Sequence, residues 1–228
     1  MYLSGGTAGI WQANWYLVGP DHGRECVIID PGQDSARAIR QALADDRREP
    51  VAVLATHGHI DHIADAAGLA DEYGIPLHIH SLDRPFLTNP IAALFPAMGL
   101  LLAQAFPQPF REPADVREYQ MEEESGRGAV GIGGLDFQLR HAPGHTPGST
   151  LLVVAEDPAA PVVFSGDVVF AGSIGRTDFA VGDPAAMSRS LRDQVLTLPG
   201  QALLLPGHGP ASDVSRERRS NPFLRGGT

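Results

Sequence analysis

Four potential metal ligands, His57, His59, Asp61 and His62, fall within six residues directly behind the apolar run at 51–55. A run of that length and branching predicts a buried strand ending at Thr56. The ligands then lie on the loop leaving the strand and on the first turn of the next element. Functional side chains collect at such strand ends. The arrangement recurs three times: apolar residues lead to His145 at 142–148, to Asp167 at 162–167 and to His208 at 203–209. Lone histidines are usually solvated or hydrogen-bonded, but four such clusters in this order point to a metal site.

Nitrogen and carboxylate ligands without thiolate suit zinc, iron or manganese. Zinc is the expected ion, and there are enough groups for two. His57 and His59, two residues apart on an extended loop, converge on one ion, while Asp61 and His62 turn toward a second. Asp167 has two carboxylate oxygens and is the natural bridge. His145 and His208 complete one site each.

The 228 residues suffice for a substantial core, and a single domain over 1–228 is expected. The ligands span 57 to 208 with no Ser/Gly-rich or highly charged linker between them, and the polar stretch 117–127 reads as a surface connection. A net charge of −10 repels a phosphate backbone, which makes nucleic acid a poor candidate partner, and none is expected. The single Cys26 cannot form an internal disulfide and is expected to pack as a small apolar strand residue. No leader pattern or membrane-length apolar run is present, so a cytoplasmic protein without a membrane partner is expected. Oligomeric state is left open.

Strands are predicted at 14–18 and 26–29, joined through the turn 19–23. Asp34 is the predicted N-cap of a helix from 35 to about 45. The strand at 51–55, a helix from about 63 to 73 ending at Gly74, and a strand at 76–80 come next, a mixed α/β order. A second strand series begins at 129–139 and continues at 150–154 and 162–164. Asp183 and Pro184 start a helix running to about 196, and 202–205 is the last strand. Both halves place ligands at strand ends, as two sheets meeting along one edge would. The stretch 86–110, rich in Leu, Ala, Phe and Pro, reads as short helices broken by prolines, serving as substrate wall or core packing.

Thr-His-Gly-His-Ile-Asp-His at 56–62, Pro-Gly-His-Thr-Pro-Gly-Ser at 143–149, Ser-Gly-Asp at 165–167 and Pro-Gly-His-Gly at 206–209 together resemble the metallo-β-lactamase superfamily. Within it the chain resembles the glyoxalase II (hydroxyacylglutathione hydrolase) branch, in the short form without the C-terminal helical domain. Gly-Ser-Ile-Gly-Arg-Thr-Asp at 172–178 and the tail at 217–224 are similar to that form. The resemblance implies an α/β fold of four layers, an αββα sandwich. It implies a first ion on His57, His59 and His145, a second on Asp61, His62 and His208, and Asp167 between them. It also implies hydrolysis of a small-molecule thioester such as S-2-hydroxyacylglutathione by a hydroxide shared between two divalent ions, with Asp61 also orienting that hydroxide.

Zinc β-lactamases commonly carry a cysteine where Asp167 stands, and flavodiiron relatives a glutamate where His59 stands; both departures lower those readings. A mononuclear iron persulfide dioxygenase using His57, His145 and Asp167 is the nearest alternative. A lactonase of the same superfamily and a non-catalytic metal-binding protein stand behind it. Asp30 is read either as an acceptor holding the ligand loop or as a turn cap before Pro31. Arg176 either grips a substrate carboxylate or pairs with Asp178. His78 and His80 share one strand face and are expected to be ordinary hydrogen-bonded residues.

Overall fold

The computed structural model describes residues 1–94 and 110–225. Its first sheet runs β1 (Tyr2–Ala8), β2 (Ala13–Gly19), β3 (Glu25–Ile29), β4 (Glu49–Leu54), β5 (Leu77–Ile79) and β6 (Val116–Glu118) in spatial order. The strands β1 to β3 are antiparallel and β3 to β6 parallel. Helix α1 (Ala36–Asp45) connects β3 to β4, and α2 (Ile60–Ile63) with α3 (Ala66–Tyr73) connects β4 to β5. The second half contributes β7 (Arg127–Ile132), β8 (Leu135–His141), β9 (Thr150–Val154), β10 (Val162–Gly166), the hairpin β11 (Val169–Phe170) and β12 (Ser173–Ile174), α4 (Pro184–Ser190), β13 (Leu203–Pro206), β14 (Ser212–Asp213) and α5 (Val214–Ser220). Its sheet is ordered β14-β13-β10-β9-β8-β7.

Side-chain alternation makes these sheets face each other. On β3, Cys26 and Ile28 pack with Ile39, Leu43 and Leu69 of the helices, whereas Val27 and Ile29 pack with Phe137, Leu139, Leu152 and Phe164 of the other sheet. On β9, Leu151 and Val153 meet Met187 of α4, while Leu152 and Val154 join the core between the sheets. Strands covered on both faces read as unbroken apolar runs. The layers are therefore helix, sheet, sheet, helix, the expected αββα sandwich. The sheets stack face to face rather than meeting at an edge, and the ligand loops leave one rim. Cys26 is fully buried on β3, and burial pushes its thiol up to about 12.

Several local expectations are corrected. Asp34 does not cap α1: it has φ +60°, Ser35 is the cap position, and Asp65 Oδ2 accepts from the Ala36 N–H at 2.8 Å. The same Asp65 explains why the helix expected over 63–73 is interrupted, since its own N–H donates to the Pro31 carbonyl. Asp183 caps α4 as expected, but the helix ends at Ser190 and continues as a π turn over Leu191–Val195. The strands β1, β6, β11, β12 and β14 were not anticipated; β1 carries Gly5 and Gly6 in place of an apolar run, and the others are two or three residues long. In the stretch 86–110, Phe86 and Leu87 are buried and Pro90–Ala93 forms a 3-10 turn, while 95–109 lie outside the described residues. Among the described residues no helix is long and apolar enough to cross a membrane.

His80 has the expected hydrogen bond, accepting from the Leu82 N–H at 3.2 Å, and it stacks on His141. His78 departs from expectation, because its Nε2 is buried without a partner. Burial lowers both imidazoles to about 4. A histidine depressed in the folded state contributes stability above its unfolded value near 6.5, which is lost as pH falls toward 4. His78→Gln removes one such group. The stability gap between wild type and variant is expected to shift by about 1–2 kcal/mol against wild type between pH 7 and pH 4.5, after allowance for solvent screening. Parallel denaturation at the two pH values checks this; a gap independent of pH contradicts it.

Candidate metal centre

All seven residues expected as ligands lie at one rim of the sandwich. The loop after β4 and the short α2 carry His57, His59, Asp61 and His62, the β8–β9 loop carries His145, Asp167 comes directly after β10, and His208 follows β13 across Gly207. Two groups form, His57 with His59 and His145, and Asp61 with His62 and His208, the ligand atoms of each lying within 4.8 Å of one another. In the first, His59 Nδ1 is 2.7 Å from His145 Nε2. In the second, His208 Nε2 is 3.2 Å from Asp61 Oδ2 and 3.3 Å from His62 Nε2. Asp167 faces both: Oδ2 is 3.3 Å from His145 Nε2 and 3.6 Å from His208 Nε2, and Oδ1 is 3.4 Å from His62 Nε2. A Cβ at Gly207 would stand 2.2 Å from Asp167 Oδ1 and 2.6 Å from His62 Cε1, so only glycine lets the last ligand loop approach.

Proton accounting orients the rings. Thr56 donates its hydroxyl to Asp30 Oδ2 at 2.6 Å and so accepts from His57 Nδ1–H at 3.1 Å, leaving the His57 Nε2 lone pair facing the site. His145 Nδ1–H donates to the Arg176 carbonyl at 2.8 Å, and His208 Nδ1–H to the Gln12 carbonyl at 3.3 Å. His62 Nδ1 lies 3.2 Å from Asp30 Oδ2. Asp30 Oδ1 also accepts from the Thr56 N–H at 2.7 Å, so of its two sequence readings the loop-holding one is observed. Asp30 also stands near His57 and His62 in a third grouping, but these bonds occupy its oxygens. The loop carrying His208 is tied to the first sheet by Asn14 and Tyr16, both bonded to the Pro206 carbonyl.

Nε2 of His57 and Oδ1 of Asp167 are buried with no hydrogen-bond partner. Unpaired buried polar atoms are costly, and here they point into a set of nitrogen and carboxylate donors without thiolate; the residues fit divalent cations. Burial drives His57 and His59 well below the usual imidazole range, reinforced by neighbouring rings, so both are neutral and available as donors. Burial opposes protonation of His62 as well, but Asp61, Asp167 and Asp30 outweigh it and raise the ring to about 10. His208 is raised in the same way, against burial, by Asp61 and Asp167. Burial also disfavours ionised Asp61, yet His62 and His208 hold its carboxyl well below the usual range. A cation entering the second group must displace those imidazole protons.

A pocket of about 410 Å³ opens on Asp61, Asp167, His59, His145 and His208, with Trp11, Ile60, Leu94, Phe170, Ile174 and Phe179 as apolar wall. Arg176 also lines it, bonded to Asp178 at 2.6 and 2.7 Å and lying 4.3 Å over the Phe179 ring. The pairing with Asp178 is therefore observed. Phe170 and Ile174 belong to the β11–β12 hairpin, whose position rests on Glu217 and Asn221 in the tail that carries part of the resemblance. Buried Glu217 accepts from the Gly172 N–H at 2.8 Å and from Ser212, and Asn221 donates to the Ser173 carbonyl at 2.9 Å. Sequence reading missed Asp83: it is fully buried and bonded to Gly58, Thr146 and Gly148. No local signal marks Asp83, because its partners lie far along the chain.

The sequence profile of the metallo-β-lactamase superfamily matches residues 8–208. The chain is 40% identical over 228 residues to an uncharacterized protein of Mycobacterium tuberculosis, covering 99% of each. It is 33% identical to the hydroxyacylglutathione hydrolase GloC of Haemophilus influenzae, over 94% of this chain and 93% of that one. Among solved structures, the BLEG-1 B3 metallo-β-lactamase is similar at 34% identity and a TM-score of 0.83, over 99% of this chain and 100% of that one. TTHA1623 in a di-iron-bound form is similar at 34% identity and a TM-score of 0.77, over 97% and 100%.

Proposed function

The chain belongs to the metallo-β-lactamase superfamily, and on that premise we propose that it is a two-cation hydrolase of thioesters of the S-2-hydroxyacylglutathione kind. The observation that carries this reading is Asp167, whose carboxylate faces both ligand groups at once. The likeness to GloC supports the thioester, and the likeness to a di-iron protein supports two ions. His57, His59 and His145 would hold one cation, Asp61, His62 and His208 the other, with Asp167 shared; zinc, iron and manganese all suit these donors. Such ions supply Lewis acidity and bring the ionisation of a bound water from ~15.7 to about 7. The chain's own groups do the rest: Asp61 orients the water through its second oxygen, and the apolar wall packs the acyl group and excludes bulk solvent.

The same pocket argues for weak selection of the thiol carrier. Glutathione is anionic, and Arg176, the single guanidinium among the described lining residues, already pairs with Asp178. Binding to remote parts of a substrate raises affinity and rate, so few charged contacts leave a weak preference. Lactoylglutathione should be hydrolysed with a KM near ~1 mM and a kcat/KM advantage under ~10-fold over the same acyl group on a smaller thiol. Paired kinetics on the two thioesters test this; a saturable glutathione preference at micromolar concentration contradicts it.

The likeness to BLEG-1 makes β-lactam hydrolysis the second reading. A chromogenic cephalosporin assayed beside the thioesters separates the two, and turnover of the cephalosporin alone would reverse their order. Metals per chain, thioester hydrolysis and oxygen uptake on glutathione persulfide, measured on one preparation, test the proposal as a whole. Fewer than two ions, or oxygen uptake without hydrolysis, refutes it.

A further inference from the structure

We propose that Asp83 is the positioning residue of the first cation site, its carboxylate locking the His57–His59 loop to the His145 loop and so setting the spacing of that trio. The inference rests on the two-cation reading. Asp83 has no exposed surface and lies just before a 3-10 turn over Arg84–Leu87, away from both ligand loops in sequence. Its Oδ2 accepts from the Gly58 N–H at 2.8 Å, the peptide between His57 and His59. The same oxygen accepts from the Thr146 hydroxyl at 2.6 Å, next to His145, and Oδ1 accepts from the Gly148 N–H at 2.7 Å. One carboxylate thus bridges a loop from the first sheet to a loop from the second.

The packing is as specific as the hydrogen bonding. A Cβ at Gly148 would lie 2.6 Å from Asp83 Cγ, so the His145 loop reaches the carboxylate only because position 148 has no side chain. Thr146 is held from its other side by Ser149, with Oγ to Oγ at 2.8 Å, which aims its hydroxyl at Asp83. Gly58 lies between His57 and His59, Thr146 follows His145, and Gly148 is three residues beyond His145 on the same loop. None is adjacent to Asp61, His62 or His208; His62 meets Asp30, which also holds Thr56 beside His57, and the His208 loop is held by Gln12, Asn14 and Tyr16. A carboxylate serving stability alone would weaken the whole fold; one that positions the first trio impairs one site selectively.

Asn in place of Asp83 keeps the volume but turns an NH₂ group toward one of the backbone donors. Thr146→Val removes one of the three bonds and covers the case in which Asp83→Asn does not fold. Full-length wild type and both variants are stripped of metal and titrated with cobalt(II), with occupancy read from visible absorption and from anomalous scattering at the two positions. Wild type is expected to bind two ions. In Asp83→Asn, affinity at His57, His59 and His145 falls ~10- to 100-fold while the other site stays within ~3-fold of wild type; Thr146→Val gives a smaller loss at the same site. Wild-type affinity at both sites of the variants, or parallel loss from both, overturns the inference alone. A wild type that takes up one ion overturns the two-cation reading, and the inference with it.

Discussion

Asp167→Ala is expected to leave a folded protein that retains neither cation and hydrolyses thioesters about 10³- to 10⁴-fold more slowly than wild type. Two unit charges about 4 Å apart interact by about 4 kcal/mol at an effective dielectric of 20, so two doubly charged ions repel about four times as strongly. Asp167 is the residue whose oxygens face both ligand groups: Oδ2 lies 3.3 Å from His145 Nε2, and Oδ1 lies 3.4 Å from His62 Nε2. Without its charge the remaining donors face that repulsion with Asp61 as the single carboxylate in the two groups. Loss of Lewis-acid assistance worth several kcal/mol then appears as three to four powers of ten in rate. Asp167→Asn, of equal size and no charge, should fail nearly as badly, which separates charge from shape. Metal analysis and steady-state hydrolysis of the purified proteins are the measurements. An Asp167→Ala enzyme with two ions and full activity would falsify the shared role.

Contiguity decides how much of this was legible in the sequence. The strands β3, β4, β9 and β10 are covered on both faces, so their apolar runs stand out, and the ligands sit directly at the ends of β4 and β10. His57 to His62, His145, Asp167 and His208 could therefore be named, and the structure brings them together. Asp183 was legible as a cap because its partners, the Ala185 and Ala186 N–H groups, are two and three residues away. Asp65 was not, because the helix that it caps begins about 30 residues earlier, at Ala36.

The same contrast separates ligands from the residues that hold them. Asp83, Glu217 and Asn221 are fully buried against distant backbone. Their distant partners include peptide groups at Gly58, Gly148, Gly172 and Ser173, and a peptide group carries no side-chain signature to search for. Asp30 lay between, since its place at a strand end suggested two roles and only its bonds to Thr56 and His62 select one. Arg176 likewise had two readings, and its pairing with Asp178 two residues on is the one the structure displays.

His208→Ala is expected to reduce thioester hydrolysis by roughly 10²- to 10³-fold and to lower the metal content from two ions to one, because it removes a donor from the second group alone. His208 Nε2 lies 3.2 Å from Asp61 Oδ2 and 3.3 Å from His62 Nε2, while His57, His59 and His145 keep their own geometry. It is a cleaner probe than His62, whose fully buried ring also meets Asp30, so that His62→Ala leaves a buried carboxylate short of a partner. Both variants should nonetheless fail together as hydrolases if the second cation assists the chemistry. A mononuclear dioxygenase built on His57, His145 and Asp167 needs neither residue and should keep most of its oxygen uptake. Glutathione persulfide oxidation that survives both substitutions, with thioester hydrolysis absent from the wild type, would transfer the assignment to the dioxygenase. Joint loss of thioester hydrolysis with one ion retained would keep it with the hydrolase.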